Sequence, residues 1–121
     1  MVPESLEVQQ GRVAEEVRAS ATAVESAPDT DAAAIDRHLA ELRSRAARLR
    51  DRFIIQGYVD IDARIAALRR RDVVATDRRM VGLTAVRTDL RNRLSPTSLA
   101  GFREGATTGI LGSARDVREA V

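Results

Sequence analysis

Apolar residues recur along the first half of this chain in alternating steps of four and three. Between 35 and 56 the rungs are Ile35, Leu39, Leu42, Ala46, Leu49, Phe53 and Gln56, and only the last is polar. Such alternation keeps a narrow stripe on one side of an α-helix and marks helix-on-helix contact. A ladder nearer the N-terminus, Leu6, Gln10, Val13, Val17, Ser20, Val24, carries the same alternation with two polar rungs. Ala27-Pro28-Asp29-Thr30-Asp31 separates the two: the residue before a proline is pushed out of the helical region, and Thr30 or Asp31 can cap the second helix.

These ladders predict an antiparallel hairpin of helices over about 4–26 and 31–55, since so short a connection favours antiparallel neighbours. Turning at Pro28 pairs Val24 with Ile35, Ser20 with Leu39, Val17 with Leu42, Val13 with Ala46, Gln10 with Leu49 and Leu6 with Phe53. In that register Glu16 lies beside Arg45 and Glu7 beside Arg50, flanking the seam. Beyond Phe53 the stripe shifts by one position, to Ile54, Tyr58, Ile61, Ile65 and Leu68. Gln56-Gly57 can end the helix, with Asp60 capping a third over 61–71, or one long helix continues through a local change of winding. The break is preferred.

Residues 72–86 are ambiguous. Their β-branched content permits a hairpin of strands, but Met80, Leu83, Leu90 and Leu94 carry helical spacing, and a helix over about 77–94 is preferred. Ser95-Pro96 is a restart signal, a cap residue followed by proline in the first helical position. A last helix over about 96–120 then carries Leu99, Phe102, Ala106, Ile110, Ala114, Val117 and Val121 on one side. The resulting fold class is mainly α: a hairpin (4–56), middle helices (57–94) and a glycine-containing C-terminal helix (95–121) in one bundle or coiled-coil-like domain.

Composition narrows the chemistry. At 121 residues the chain is one domain's worth. Phe53, Tyr58 and Phe102 are its only aromatics, so the core is aliphatic and alanine-rich, buries little area per residue, and invites oligomerisation. No cysteine means no disulfide, thiolate metal site or cysteine nucleophile, and the single histidine, His38, removes multi-histidine sites. No run approaches the roughly 18 uncharged apolar residues of a membrane span. Glu4 and Glu7 stand where a secretory signal carries positive charge, so the expected location is the cytoplasm or a particle assembled within a cell.

All 20 basic residues are arginine, which suits planar recognition of phosphate or carboxylate but also agrees with coding bias in a GC-rich genome. Their placement is uneven. Residues 1–34 hold seven acids against two arginines, a net of −5; residues 35–95 hold fifteen arginines against eight acids, a net of +7; the remainder is balanced.

That placement nominates candidate sites. Arg43, Arg45, Arg50 and Arg52 lie between the rungs of the second ladder and are expected to set the orientation of a partner, with Leu39, Leu42, Leu49 and Phe53 as anchors. Gly101, Gly105 and Gly109 recur every fourth residue. Glycine inside a helix is unfavourable by about 1 kcal/mol relative to alanine, so the stripe suggests close approach of another backbone, although a loop reads equally simply. Thr107–Ser113 lacks the lysine and spacing of a phosphate loop. His38 reads as a half-exposed surface histidine flanking the seam. Asp60-Ile61-Asp62 reads as a cap with favourable dipole charge sooner than as a cation site.

No nucleophile, metal set or cofactor motif emerges, and the expected function is a non-catalytic helical interaction or assembly subunit. It would join copies of itself or a larger particle, a virion connector being one concrete form. The competing expectation is an arginine-driven nucleic-acid binder that uses Arg43–Arg52 with Arg69-Arg70-Arg71 and Arg78-Arg79. Against it stand the absence of stacking aromatics and the acids Glu41, Asp51, Asp72 and Asp77 that interrupt the strip. A third form is an adaptor that docks its basic helix on an acidic protein groove. No small-molecule or membrane partner is expected.

Overall fold

The computed structural model describes residues 5–94. They form four helices, α1 (Leu6–Ser26), α2 (Ala32–Ala46), α3 (Arg52–Arg70) and α4 (Arg78–Asn92). Among the described residues there is no strand, so the stretch after Val73 resolves in favour of helix. Capping fixes three of the four starts. Ser5 Oγ accepts from the Val8 amide at 3.1 Å, Asp31 Oδ1 from Ala34 at 3.1 Å and Asp77 Oδ1 from Arg79 at 2.9 Å. Each bond satisfies a first-turn amide that has no partner within its own helix.

The helices assemble as a bundle in which α1 and α4 each pack along both α2 and α3, while α2 and α3 lie across from one another. Cross-contacts give the directions. Glu7 meets Arg52 at one end and Glu25 meets Arg64 towards the other, so α1 and α3 run parallel. Arg78 meets Asp36, and Arg93 reaches the Ala46 carbonyl, so α2 and α4 run parallel too. Ser20 meets Arg45 and Gln10 meets Arg48, so α1 and α2 run antiparallel, as the two ladders require.

The apolar stripes meet in one aliphatic core. Val17, Val24, Leu42, Leu49, Ile61, Ile65, Leu68 and Leu83 have no exposed surface. The shifted stripe of α3 is buried at Ile54, Tyr58, Ile61, Ile65 and Leu68, the same set its spacing predicts. On α1, Ala14 and Ala21 are buried beside the ladder residues Val13, Val17, Ser20 and Val24, which gives that helix a second seam for α3.

The second helix departs from expectation. It stops at Ala46, nine residues short of the expected end near 55, and the chain turns through Ala47–Asp51 before α3 begins at Arg52. The apolar ladder crosses this elbow without interruption, because Leu49 folds inward and is fully buried as a plug. Local propensity does not cause the break. Asp51 adopts φ 51° with ψ −131°, a backbone conformation that favours glycine and is strained for aspartate, so the turn is held from outside. Gln10 holds the opened backbone: its Nε2 donates to the Arg48 carbonyl at 2.9 Å, and its Oε1 accepts the Arg50 amide at 2.8 Å. The polar rung of the first ladder is thus the partner of the elbow.

Gly57 consequently ends nothing and lies buried inside α3. A Cβ there would come within 2.5 Å of Leu49 Cδ1, so the glycine is the notch that admits the plug. Asp60 caps no helix and sits in mid-α3. The early end of α2 also undoes the outermost rung of the hairpin: Leu6 is 79% exposed, while Phe53 belongs to α3 and is partly buried there.

Candidate interaction surfaces

The four arginines expected to face a partner divide into two pairs. Arg45 turns to α1, where its guanidinium donates to Ser20 Oγ at 2.6 Å and its Nε lies 3.8 Å from the Glu16 carboxylate. Ser20, a buried polar rung, is thereby satisfied, and the expected Glu16–Arg45 pair is present. Arg52 pairs with Glu7, the acid expected beside Arg50, and stacks 5.1 Å from the centre of the Phe53 ring. Arg43 and Arg50 stay together on the other side and line one groove. Gly101, Gly105 and Gly109 lie outside the described residues.

Most of the remaining positive charge is used within the fold, much of it on helix ends. Carbonyls of a last helical turn lack internal partners and carry the negative end of the helix dipole, so cations gather there. At the end of α1, Arg71 donates to the Glu25 carbonyl at 3.2 Å, and Arg79 donates to the Ala27 carbonyl at 3.0 Å. At the end of α2, Arg93 reaches the Ala46 and Leu49 carbonyls, while Arg50 donates to Ala47 and Leu49 at 2.9 Å. Arg64 and Arg71 also share the Glu25 carboxylate at 3.2 and 3.4 Å, and Arg87 meets Asp62 at 2.6 Å. The guanidinium groups of Arg37, Arg43, Arg69, Arg70 and Arg91 make no hydrogen bond or ion pair to another described residue.

Arg79 was not singled out by spacing, yet it is 5% exposed and sits between two helices. Its Nε and one terminal nitrogen donate to the two oxygens of Asp77 at 2.9 and 3.0 Å. Those bonds to Arg79 hold the Asp77 carboxyl below its ordinary range and raise the Arg79 pKa in turn. The available signal was an aspartate at a helix start with arginine two residues later, which the reading of Arg78-Arg79 as nucleic-acid contacts passes over.

The other titratable candidates resolve individually. Asp60 and Asp62, two residues apart on a helix, project in different directions. Asp62 goes to Arg87, whereas burial raises the Asp60 pKa despite the nearby Arg18 guanidinium. No group of three acidic or histidine side chains positioned for a metal occurs among the described residues. His38 is half-buried, with Nδ1 enclosed and without a hydrogen-bond partner among the described residues.

Depressions open on the surface at both ends of α4. One, of about 570 Å³, lies between the end of α3 and the start of α4 and is lined by Val73, Met80, Val81 and Thr84, with Arg69 at its edge. Val74 and Val81 beside it are 64% and 54% exposed. The other, of about 610 Å³, lies between the C-terminal ends of α2 and α4 and contains Arg43, Arg50, Arg93 and Asp89 above Ala46, Val86 and Leu90. No described helix is long and apolar enough to cross a membrane. Comparison with known proteins finds no family model, no curated protein and no solved structure that matches this chain.

Proposed function

We propose that this chain is a non-catalytic helical interaction or assembly subunit, joining copies of itself or a larger particle of the virion-connector kind. One observation carries the reading: the aliphatic cleft at the junction of α3 and α4, where Val74 and Val81 stand exposed beside a depression. The other exposed large apolar side chains among the described residues, Leu6 and Val8, lie in the first turn of α1. Helix α4 buries Met80, Leu83, Val86 and Leu90 on its inner side while Val81 and Ala85 face outward, so it is apolar on both sides. Exposed apolar surface clustered at one place is the physical signature of a contact site. Size-exclusion chromatography with light scattering tests the reading. A discrete oligomer that dissociates on Val81→Glu supports it, and a strict monomer at all concentrations overturns it.

A second reading, contact with nucleic acid, draws on Arg37, Arg43, Arg69, Arg70 and Arg91, whose guanidinium groups have no partner among the described residues. It has a smaller charge supply than the sequence suggests, because Arg45, Arg48, Arg52, Arg64, Arg71, Arg78, Arg79 and Arg87 all meet acids within the fold. Binding to arbitrary duplex DNA that collapses between low and moderate salt would favour this second reading.

A further inference from the structure

We propose that the groove between the C-terminal ends of α2 and α4 docks an acidic, apolar-faced segment of a partner protein. The proposal rests on the reading of the chain as an interaction subunit and adds to it a second surface with a stated partner chemistry. Elsewhere in the bundle arginine mostly meets carboxylate. Here three arginines, Arg43, Arg50 and Arg93, face a single acid, Asp89. Arg50 and Arg93 spend their donors on main-chain carbonyls, which leaves their charge unmatched by any described carboxylate. The Arg43 side chain has no described partner, so an exposed guanidinium with five donors stands at the rim.

Beneath this rim the accessible apolar surface is Ala47 and the methylene stems of the arginines, laid over Ala46, Val86 and Leu90, which the bundle already buries. A volume of about 610 Å³ accommodates aliphatic side chains from a segment laid along the groove. Basic rim and apolar floor together select an occupant with leucine-like residues at helical spacing and glutamate or aspartate beside them, the helix-in-groove mode of recognition. A carboxylate would take Arg43 in a bidentate pair, a geometry that arginine provides and lysine does not. The three arginines gather in one groove beside Asp89 and not along a strip, which suits a carboxylate-bearing segment better than the repeating phosphates of a nucleic acid.

The test uses the full chain, isotopically labelled, and two synthetic fourteen-residue peptides. One carries leucines at helical spacing flanked by glutamates, and the other replaces every glutamate by lysine. The expected result is amide shifts at Ala46, Ala47, Val86 and Leu90 with the acidic peptide and none with its lysine counterpart. Arg43→Glu should weaken that binding at least tenfold and lower the unfolding midpoint only slightly, as an acid in the last turn of α2 does, while Arg43→Lys should weaken the binding less and keep the midpoint. Failure of the acidic peptide to shift these amides at millimolar concentration overturns the proposal. So do equal binding of both peptides, indifference to Arg43→Glu, or the same shifts on adding duplex DNA or on concentrating the protein alone. Light scattering on the Val81→Glu variant keeps the two ideas apart. Peptide binding by a strict monomer would retain the groove and remove self-assembly, whereas a Val81-dependent oligomer without peptide binding would do the reverse.

Discussion

At the end of the bundle where α4 begins, Arg79 is enclosed with 5% of its surface exposed, gripping Asp77 and the Ala27 carbonyl. At the end where α2 stops, closure falls to Leu49, a fully buried aliphatic plug seated against Gly57. Both ends must satisfy the orphan carbonyls of a finishing helix, and both recruit arginine for it. They differ in what fills the interior. The first encloses an ion pair whose charges are satisfied by several hydrogen bonds; the second breaks a helix so that an apolar side chain can turn in. An ion pair closes an end through mutual dependence of its members, whereas a plug acts through volume.

The largest difference should therefore appear on removing one member of the pair. Asp77→Ala strands a buried guanidinium and is expected to destabilise by about 3–5 kcal/mol, read from urea unfolding midpoints. Replacing both members, as Asp77→Ala with Arg79→Met, should lose less than the single change, because no unpaired charge remains buried. A double variant worse than Asp77→Ala alone would show that this end is closed by the arginine stem rather than by the ion pair.

At the other end, Leu49→Ala removes a plug with no exposed surface and should lose about 3 kcal/mol, comparable with Leu42→Ala in the hairpin seam. A much smaller loss would mean that the elbow collapses onto the vacated space. Arg93→Met keeps an aliphatic stem but removes one of two donors from each of the Ala46 and Leu49 carbonyls, which keep the Leu49 amide and Arg50, and is expected to lose about 1 kcal/mol. Gln10→Leu is the most diagnostic of the smaller changes. If position 10 were only a flawed rung, leucine would stabilise the hairpin; as the clamp on Arg48 and Arg50, glutamine should be better by about 1 kcal/mol.

These two ends also mark how far the sequence could be read. The hairpin seam was legible because Val13, Val17, Val24, Ile35, Leu39 and Leu42 follow one period, and the cap at Asp31 agrees with it. Helix α3 was legible as a stripe from Ile54 to Leu68 and α4 as spacing from Met80 to Leu90. The elbow was not, since Ala47, Arg48 and Leu49 are good helix formers and the ladder runs on through them. Only a contact distant in sequence, from Gln10 and Arg93, makes the turn favourable there, and Gly57 gains its meaning from Leu49 lying against it. Of the arginines weighed as partner-binding, spacing correctly placed Arg45 beside Glu16 but could not tell a guanidinium that caps a helix end from one left over. That distinction decides the groove, where the Arg43 guanidinium stands without a described partner while Arg50 and Arg93 are held by carbonyls.

The smallest expected effect separates the ends by acidity. Arg79 holds the folded Asp77 carboxyl below its ordinary value of 3.8. A lowered folded pKa means that the ion pair contributes its full stability above that ordinary value and loses it as the pH falls through the folded one. Leu49 has nothing to titrate, so the deficit of Leu49→Ala against the parent should stay constant from pH 6 to pH 3. The deficit of Asp77→Asn should hold between pH 6 and pH 5, begin to shrink only near pH 4, and narrow further at pH 3. Parallel unfolding series on the parent and both variants check this. If both deficits shrank together, the acid response would belong to other carboxylates, and a constant Asp77→Asn deficit would mean that its loss comes from the cap on the Arg79 amide and not from the charge pair.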